Sequence, residues 1–159
     1  MESMDKIDEG ILALLQKNAH LTSKEIADRL HLSVTPIYER IKKLEQKGII
    51  RNYVALLDKE KINRSMIAFC AVSLKVHSKL LLKKKKKAVN KLDEVIECYH
   101  ITSTYDYLMK VVVKDMNSYQ QFIVNKLAVM ENIGNVQSSF VMTEIKYETA
   151  FNLGSSKFV

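Results

Sequence analysis

Residues 33–43 read SVTPIYERIKK and concentrate side chains that can bind phosphate groups or the edges of bases. Hydroxyl groups can bond to phosphates or bases, and cationic groups neutralise phosphates. A carboxylate in the same stretch can accept a hydrogen bond from a cytosine amine. The candidate contacts with nucleic acid are Ser33, Thr35, Tyr38, Glu39, Arg40, Lys42 and Lys43. These side chains can act together only if one structural element presents them.

A helix that starts after Ser33 would supply that element. Ser33 is a favourable N-cap residue, and the chain's single proline, Pro36, falls in the first turn, where no intrahelical amide bond is lost. Gly48 is a favourable residue just past the helix end. Helical spacing also produces an apolar stripe for burial, formed by Val34, Ile37, Ile41 and Leu44. Pro36 therefore fixes where the helix begins and which way its first polar side chains point.

Two helical patterns precede this one. The first has Asp5 and Asp8 near its N-terminal end, where the helix dipole favours anions. The second begins with Thr22 and Glu25 at the spacing of a capping box. His31 occupies the next turn, where a positive φ is common and histidine is tolerated. Three helices with a short turn before the third are typical of a helix-turn-helix domain, which places its third helix in the major groove of DNA.

The rest of the chain alternates between strand and helix patterns. Residues 49–58 are rich in β-branched and aromatic residues and predict a strand that leads out of the helices. The elements predicted after it are a strand over 66–76, a helix over 78–92, strands over 95–102 and 107–113, a helix over 117–130 and a strand over 136–146. The β-α-β-β-α-β order is that of a ferredoxin-like sandwich. The predicted fold class is therefore α+β, with a three-helix helix-turn-helix domain followed by a ferredoxin-like domain.

The net charge of +7 is unevenly distributed along the chain. Residues 1–57 hold nine Lys/Arg and eight Asp/Glu side chains, so the helical part is almost neutral. The remaining residues carry the excess, which includes the unbroken run Lys83–Lys87. Such a run is usually a solvated helix face, and the alternative is a basic strip along which DNA could wrap. Overall basicity therefore supports polyanion binding only weakly.

Composition argues against several other classes of protein. No stretch approaches the ~18 uninterrupted apolar residues of a membrane span, and the acidic start MESMDKIDEG lacks the build of a secretion signal. Cys70 and Cys98 are isolated thiols, expected to be buried small side chains in a reducing compartment. No metal-ligand spacing or glycine-rich phosphate loop is visible. We therefore expect a cytoplasmic protein without a cofactor or a membrane partner.

Three stretches together resemble the Lrp/AsnC family, the feast/famine or leucine-responsive transcriptional regulators. They read IDEGILALLQKN, RLHLSVTPIYERIKKLEQKGII and YDYLMKVVVKDMNSYQQFI, and the likeness covers about residues 4–150. The resemblance implies a sequence-specific regulator in which a β hinge joins the helix-turn-helix domain to a ligand-sensing domain. It also implies homodimers paired through their sheets, often assembled into octamers, that bind a pseudo-palindromic site on double-stranded DNA.

The same resemblance assigns roles to residues of this chain. The family's recognition helix matches residues 33–47, which contain the candidate contacts with DNA. Its effector loop, a Gly-x-x-Asp element, implies effector-binding residues Thr102, Ser103, Thr104, Tyr105 and Asp106. Asp106 could pair with the ammonium group of an amino-acid effector, while amides of the turn hold the effector's carboxylate. Ser103 stands where the family has glycine, and the alternative is a turn that only connects two strands.

The elements and the resemblance together predict the organisation of the chain. Its parts are a helix-turn-helix DNA-binding domain over 1–48, a β hinge or linker over 49–63, a ferredoxin-like domain for effector binding and oligomerisation over 64–149, and a tail over 150–159. Effector binding would change assembly or DNA affinity.

Two alternatives from other classes remain open on the sequence. One is an enzyme of similar architecture, as in the sirohaem decarboxylases, for which His100 is the one suitably placed histidine. A lone histidine at a strand end is more often structural, and we expect no catalytic residues. The other is an architectural DNA-binding protein without sequence preference. Thr35, Tyr38 and Glu39 argue against it, because these side chains are suited to reading bases.

Overall fold

The computed structural model describes residues 4–76 and 88–154. The lysine run Lys83–Lys87 and most of the predicted helix over 78–92 lie outside these residues.

Internal contacts divide the chain into two units. The helical unit consists of Met1–Leu56 together with Lys146–Val159, and the sheet unit consists of Leu57–Ile145. The linker predicted over 49–63 contains the first boundary between the units, which lies between Leu56 and Leu57. Because the chain returns to the helical unit at Lys146, two separate segments connect the units.

Three helices form the helical unit, and the second and third begin at the predicted cap residues. The helices are α1 (Lys6–Lys17), α2 (Ser23–Leu30) and α3 (Val34–Gln46). The Asp5 carboxylate caps α1, and Thr22 and Glu25 form the predicted capping box at the start of α2. Ser33 occupies the N-cap of α3, although its hydroxyl makes no capping hydrogen bond. The sequence pattern therefore located the starts of α2 and α3.

The turns after α2 and α3 require left-handed backbone. His31 has a φ of 55° and ends α2, as its position in the turn predicted. Gly48 has a φ of 69° after α3, and the N–H of Ile49 then returns to the carbonyl of Leu44 at 3.0 Å. Glycine adopts this conformation without the steric cost of a Cβ atom. These two residues set the directions in which the chain enters and leaves α3.

A single apolar cluster holds the three helices together. Ile11 of α1, Ile26 of α2 and Ile37 of α3 are fully buried in it, and Leu44 is nearly so. Val34 was predicted to share the buried stripe of α3, but it is 45% exposed in the first turn. The buried side of α3 therefore begins at Ile37.

The described part of the sheet unit contains four strands, a complete α-helix and a π-helical turn, and Ala88 and Val89 are also helical. The strands, the complete helix and the turn are β1 (Met66–Leu74), β2 (Val95–His100), β3 (Tyr107–Val113), α4 (Met116–Phe122), the π-helical turn (Ile123–Leu127) and β4 (Ile133–Phe140). The strand order is β2-β3-β1-β4, and every neighbouring pair is antiparallel. This order is that of a ferredoxin-like sheet, so the predicted α+β fold class is confirmed.

The core of the sheet unit lies between the sheet and α4. Phe122 of α4 is 1% exposed in this core. The Tyr119 hydroxyl contacts Cys70 Sγ at 2.8 Å and donates to Ser138 Oγ at 2.5 Å. Burial raises the pKa of both Tyr119 and Cys70, so both groups stay protonated at neutral pH. Cys70 is therefore the buried thiol predicted, whereas Cys98 is exposed on the edge strand β2.

Two predicted strands differ from those observed. Residues 51–58 contain no regular secondary structure, because a strand needs a paired neighbour and the described sheet provides none there. The last strand was predicted over 136–146 but ends at Phe140. Its partner β1 begins at Met66, and the Val141 N–H bonds to the Ile67 carbonyl at 3.0 Å. Beyond that bond the strand has no neighbour within the described residues.

The described part of the tail contacts the helical unit. The Phe151 N–H donates to Gln16 Oε1 at 2.7 Å, and Gln16 Nε2 donates to the Phe151 carbonyl at 3.2 Å. Leu153 also packs against the apolar cluster of the three helices. Phe151 and Leu153 thus belong to the helical unit in space.

Candidate nucleic-acid interface and effector loop

The outward face of α3 presents most of the predicted DNA contacts together. Side chains rotate by about 100° per residue around an α-helix, so Thr35, Glu39 and Lys42 lie opposite the buried stripe. The exposed candidates are Ser33, Thr35, Tyr38, Glu39, Lys42 and Lys43. A helix with this arrangement can bury one side in the bundle and place hydroxyl, carboxylate and ammonium groups against a duplex.

Polar side chains in the second half of α3 contact one another and also contact the segment that follows the helix. Lys42 Nζ lies 5.8 Å from the centre of the Tyr38 ring and 3.4 Å from Glu45 Oε2. The Tyr53 hydroxyl donates to Glu45 Oε1 at 2.9 Å. Burial and then this hydrogen bond raise the pKa of Tyr53 to about 12. Glu45 therefore orients Lys42 on the outward face while fixing the residues after the helix.

Arg40 lies apart from the outward candidates Thr35, Glu39 and Lys42. Its Nη1 atom is 2.7 Å from Asp5 Oδ2 and 2.7 Å from Asp8 Oδ1. Both acids belong to the start of α1, where Asp5 is the N-cap. The structure thus places Arg40 between α3 and α1 instead of on the face predicted to meet DNA.

Sequence reasoning missed this cluster of Asp5, Asp8 and Arg40, although part of the signal was present. Arg40 is three residues after Ile37 and four before Leu44, which places it beside the buried stripe and away from Glu39. The periodicity could therefore have separated Arg40 from the outward candidates. The identity of its partners on α1 depends on how the helices pack.

The predicted effector loop connects β2 to β3 and is tied to β1. The Ile101 N–H bonds to the Asp106 carbonyl at 2.9 Å, and the Asp106 N–H bonds to the Val72 carbonyl at 3.0 Å. Asp106 Oδ2 accepts a hydrogen bond of 2.7 Å from the Leu74 N–H. The pairing of β1 with β4 shifts register between Val72 and Leu74, so this carboxylate satisfies an amide at an irregularity. Asp106 therefore has a structural role in addition to any contact with a ligand.

The rest of the loop is open to solvent. Thr102, Ser103 and Thr104 are exposed, and the Tyr105 hydroxyl donates to Gln137 Oε1 of β4 at 2.7 Å. Ser103 is not among the described residues with positive φ. A serine in place of the family glycine is therefore free of left-handed strain here. The structure brings the five predicted effector residues to one loop, and it adds Gln137, which no pattern in the sequence indicated.

His100 belongs to the sheet. Its ring lies 5.2 Å from the ring of Tyr107, which is its cross-strand partner on β3. Paired rings on neighbouring strands are an ordinary source of sheet stability. Over the described ranges, no group of three or more His, Cys, Asp or Glu side chains could hold a metal ion. The helices described here are also too short or too polar to cross a membrane.

Comparison with known proteins agrees with this architecture. Residues 4–51 match the winged helix-turn-helix DNA-binding family, and residues 67–151 match the Lrp/AsnC ligand binding domain family. The chain is 37% identical over 147 residues to the DNA-binding transcriptional activator DecR of Escherichia coli K12, covering 92% of this chain and 97% of that one. It is 32% identical over 145 residues to the leucine-responsive regulatory protein of Klebsiella pneumoniae, covering 91% and 88%.

Solved structures give the same result. A transcriptional regulator from Neisseria meningitidis, crystallised as a complex with L-Met, is 38% identical and superposes with a TM-score of 0.90, covering 95% of this chain and 97% of that one. An AsnC family transcriptional regulator from Agrobacterium tumefaciens is 38% identical with a TM-score of 0.91, covering 96% and 99%. The chain therefore belongs to the Lrp/AsnC family and is a DNA-binding transcriptional regulator with a ligand-binding domain.

Proposed function

We propose that this regulator reads a pseudo-palindromic site on double-stranded DNA with the outward face of α3. The observation that carries the proposal is the set of exposed polar side chains opposite the buried stripe of that helix. The proposed DNA contacts are Ser33, Thr35, Tyr38, Glu39, Lys42 and Lys43. The hydroxyl and ammonium groups bind phosphates, while Thr35, Tyr38 and Glu39 are suited to contacts with base edges.

Selection of bound fragments from a random DNA pool tests this proposal. An enriched inverted repeat is expected, because a homodimer presents two copies of α3 related by two-fold symmetry. The selection is run with and without a mixture of the twenty amino acids, so that it also reports an effect of ligands. Binding without any enrichment would contradict sequence-specific recognition and favour an architectural DNA-binding protein.

Glu39 provides a sharper test of base recognition. Its carboxylate repels phosphates, so on the outward face it is useful mainly as an acceptor for a cytosine amine. Glu39→Ala is expected to raise the affinity for random duplex and to reduce the preference for the selected site by roughly 10-fold. Titrations of both duplexes measure this ratio. Asp28→Ala, which removes an exposed acid from α2, is the matched control. An unchanged ratio for Glu39→Ala would argue against its contact with a base.

The proposed effector is an amino acid bound at the loop formed by residues 102–106. The L-Met complex of the Neisseria relative supports this class of ligand. In this chain, Asp106 supplies a carboxylate for the ammonium group, and the exposed loop offers backbone amides for the carboxylate. Binding there would act on DNA by favouring one of two assemblies that differ in DNA affinity.

Two substitutions at Asp106 separate ligand binding from structure. Asp106→Asn keeps an oxygen that can accept from the Leu74 N–H but removes the charge, so we expect loss of the amino-acid response with little change in stability. Asp106→Ala also leaves that amide without its acceptor, which should cost about 1–3 kcal/mol of unfolding free energy. Binding of amino acids by calorimetry and urea denaturation measure the two effects. A normal amino-acid response in Asp106→Asn would limit Asp106 to its structural role.

We also propose that the chain forms homodimers that assemble further into octamers. Large apolar side chains near both connections between the units support this, since Leu57 is 66%, Met142 98% and Ile145 90% exposed. Exposed apolar side chains in such numbers are typical of protein interfaces. Sedimentation at several protein concentrations, with and without amino acids, tests the assembly. A monomer at all concentrations would contradict it.

The regulator is proposed to act in the cytoplasm and without catalysis. The names of its curated relatives support a regulatory role, and the contact of His100 with Tyr107 supports a structural histidine. Neither Cys70 nor Cys98 forms a disulfide among the described residues, which fits a reducing compartment.

A further inference from the structure

Arg40 lies between the buried stripe of α3 and Lys43, and on a different side of the helix from Thr35, Glu39 and Lys42. Helical spacing places it beside the buried Ile37 and Leu44, and its side chain is 32% exposed. The outward candidates Glu39 and Lys42 are separated from it by about a quarter to a half turn around the helix axis. Arg40 therefore contacts the bundle while its neighbours face solvent.

The partners of Arg40 are themselves fixed. Asp5 Oδ2 accepts from Arg40, while the other oxygen, Asp5 Oδ1, accepts from the N–H groups of Ile7 and Asp8 at 2.9 and 2.8 Å. The Asp8 carboxylate, 20% exposed, lies one helical turn further along α1 and contacts the same nitrogen of Arg40. If Arg40 moved away, Asp5 could follow it only by giving up the cap of α1.

The charges of the cluster also oppose a direct contact of Arg40 with phosphate. Two carboxylates face one guanidinium, so a phosphate approaching Arg40 would meet two like charges. The N–H of Asp8, and then Arg40, lower the pKa of the Asp5 carboxyl, which keeps it ionised. Asp8 and Arg40 line one depression together with Lys43 and Lys47, so a phosphate there would meet the Asp8 carboxylate as well as these cations.

A directional contact defines the rotation of α3 about its axis more closely than apolar packing alone. The hydrophobic effect is non-directional, whereas a hydrogen bond between charged groups has a preferred geometry. A rotation of roughly 20° would move the tip of a side chain, about 5–6 Å from the axis, by roughly 2 Å. That displacement is enough to break a hydrogen bond to a base edge. A directional contact at one side of α3 can therefore control base recognition on the other.

We propose that Arg40 is a positioning residue that fixes the rotation of α3 against α1 through Asp5 and Asp8, and that it does not itself contact DNA. The inference rests on the proposed DNA-facing side of α3. It assigns a role in DNA recognition to two acids of α1, although both lie outside the outward face of α3.

Salt-dependent DNA titrations of Arg40→Gln and Asp8→Asn test the proposal. The probes are a duplex selected by the wild-type protein and a random duplex of equal length. Both substitutions are expected to reduce the preference for the selected duplex by roughly 10-fold, as for one misplaced base contact. The slope of log affinity against log salt should stay unchanged, because no phosphate contact is lost. The double variant should be no worse than Arg40→Gln alone, since that substitution already removes the contacts of the guanidinium with both Asp5 and Asp8.

A direct contact between Arg40 and phosphate predicts different results. The salt slope of Arg40→Gln would then become less steep by about 0.9. Asp8→Asn would release Arg40 and raise the affinity for random duplex by more than Asp28→Asn does. Asp28→Asn is the control, because it removes an exposed acid that does not contact Arg40. Either result would overturn the proposal.

Two further measurements keep the outcome unambiguous. Arg40→Lys retains the charge and one possible ion pair, so the selected-site preference should partly recover, which a general loss of folding would not produce. The double substitution Lys42→Ala/Lys43→Ala tests the proposed DNA-facing side separately. If their removal also leaves the salt slope unchanged, that side is misassigned. If removal of Lys42 and Lys43 makes the salt slope less steep, as expected, but Arg40→Gln does so too, only the positioning role of Arg40 is wrong.

Discussion

Replacing Phe122 with alanine is expected to lower the unfolding free energy of the sheet unit by about 3–5 kcal/mol. Phe122 is 1% exposed and lies in the core between α4 and the sheet, so the substitution removes a whole ring from a closely packed site. Urea denaturation followed by circular dichroism measures the change. An effect of this size would remove a large fraction of the stability of an ordinary domain.

Val124 provides the matched control for Phe122. It lies two residues later, in the π-helical turn, and its side chain is 55% exposed. Val124→Ala should change the unfolding free energy by no more than about 0.5 kcal/mol. If Phe122→Ala costs less than roughly 1.5 kcal/mol, the surrounding side chains must collapse into the vacated space, and the expected loss of packing is contradicted.

The second large effect is expected on DNA affinity. The double substitution Lys42→Ala/Lys43→Ala should weaken binding to duplex DNA by roughly 50–100-fold at 0.1 M salt and reduce the salt slope by about 1.8, because each phosphate contact contributes about 0.9. Both residues are exposed on the outward face, so the fold should be retained. Titrations over a range of salt concentrations measure the affinity and the slope together.

Lys61→Ala is the control for a general effect of charge. The Lys61 side chain is 82% exposed in the sheet unit and lies 3.6 Å from Asp58. Its removal changes the net charge of the protein in the same direction without touching α3, and the salt slope should stay as in the wild type. Equal losses of affinity in both variants would show that Lys42 and Lys43 act through overall charge instead of through phosphate contacts.

Local signals in the sequence were sufficient for most of the helical unit. Thr22 and Glu25 cap α2, and His31 and Gly48 occur where the backbone must be left-handed. These features depend on residues within one or two turns of each other, so they can be read without knowing the fold. The alternating strand and helix patterns of the sheet unit also predicted three of its four strands closely. The predicted bounds of β3 match the observed ones at both ends.

Strand ends were less predictable because they depend on the neighbouring strand. Residues 49–58 have the composition of a strand, yet residues 51–58 form none within the described chain. The last strand ends at Phe140, close to where its partner β1 begins at Met66. Composition indicates that a segment can be a strand, but only pairing determines which residues become one.

The sequence by itself determined the fold class, the family and the polar face of α3, because periodicity and motif spacing are properties of the chain. Tertiary structure decided what two of the key charged residues do. Arg40 meets acids that precede it by more than thirty residues, and Asp106 accepts a hydrogen bond from Leu74 on another strand. A side chain can bind DNA or a ligand only through polar groups that are not already bonded within the fold. The bonding partners within the fold become neighbours only when distant segments pack together.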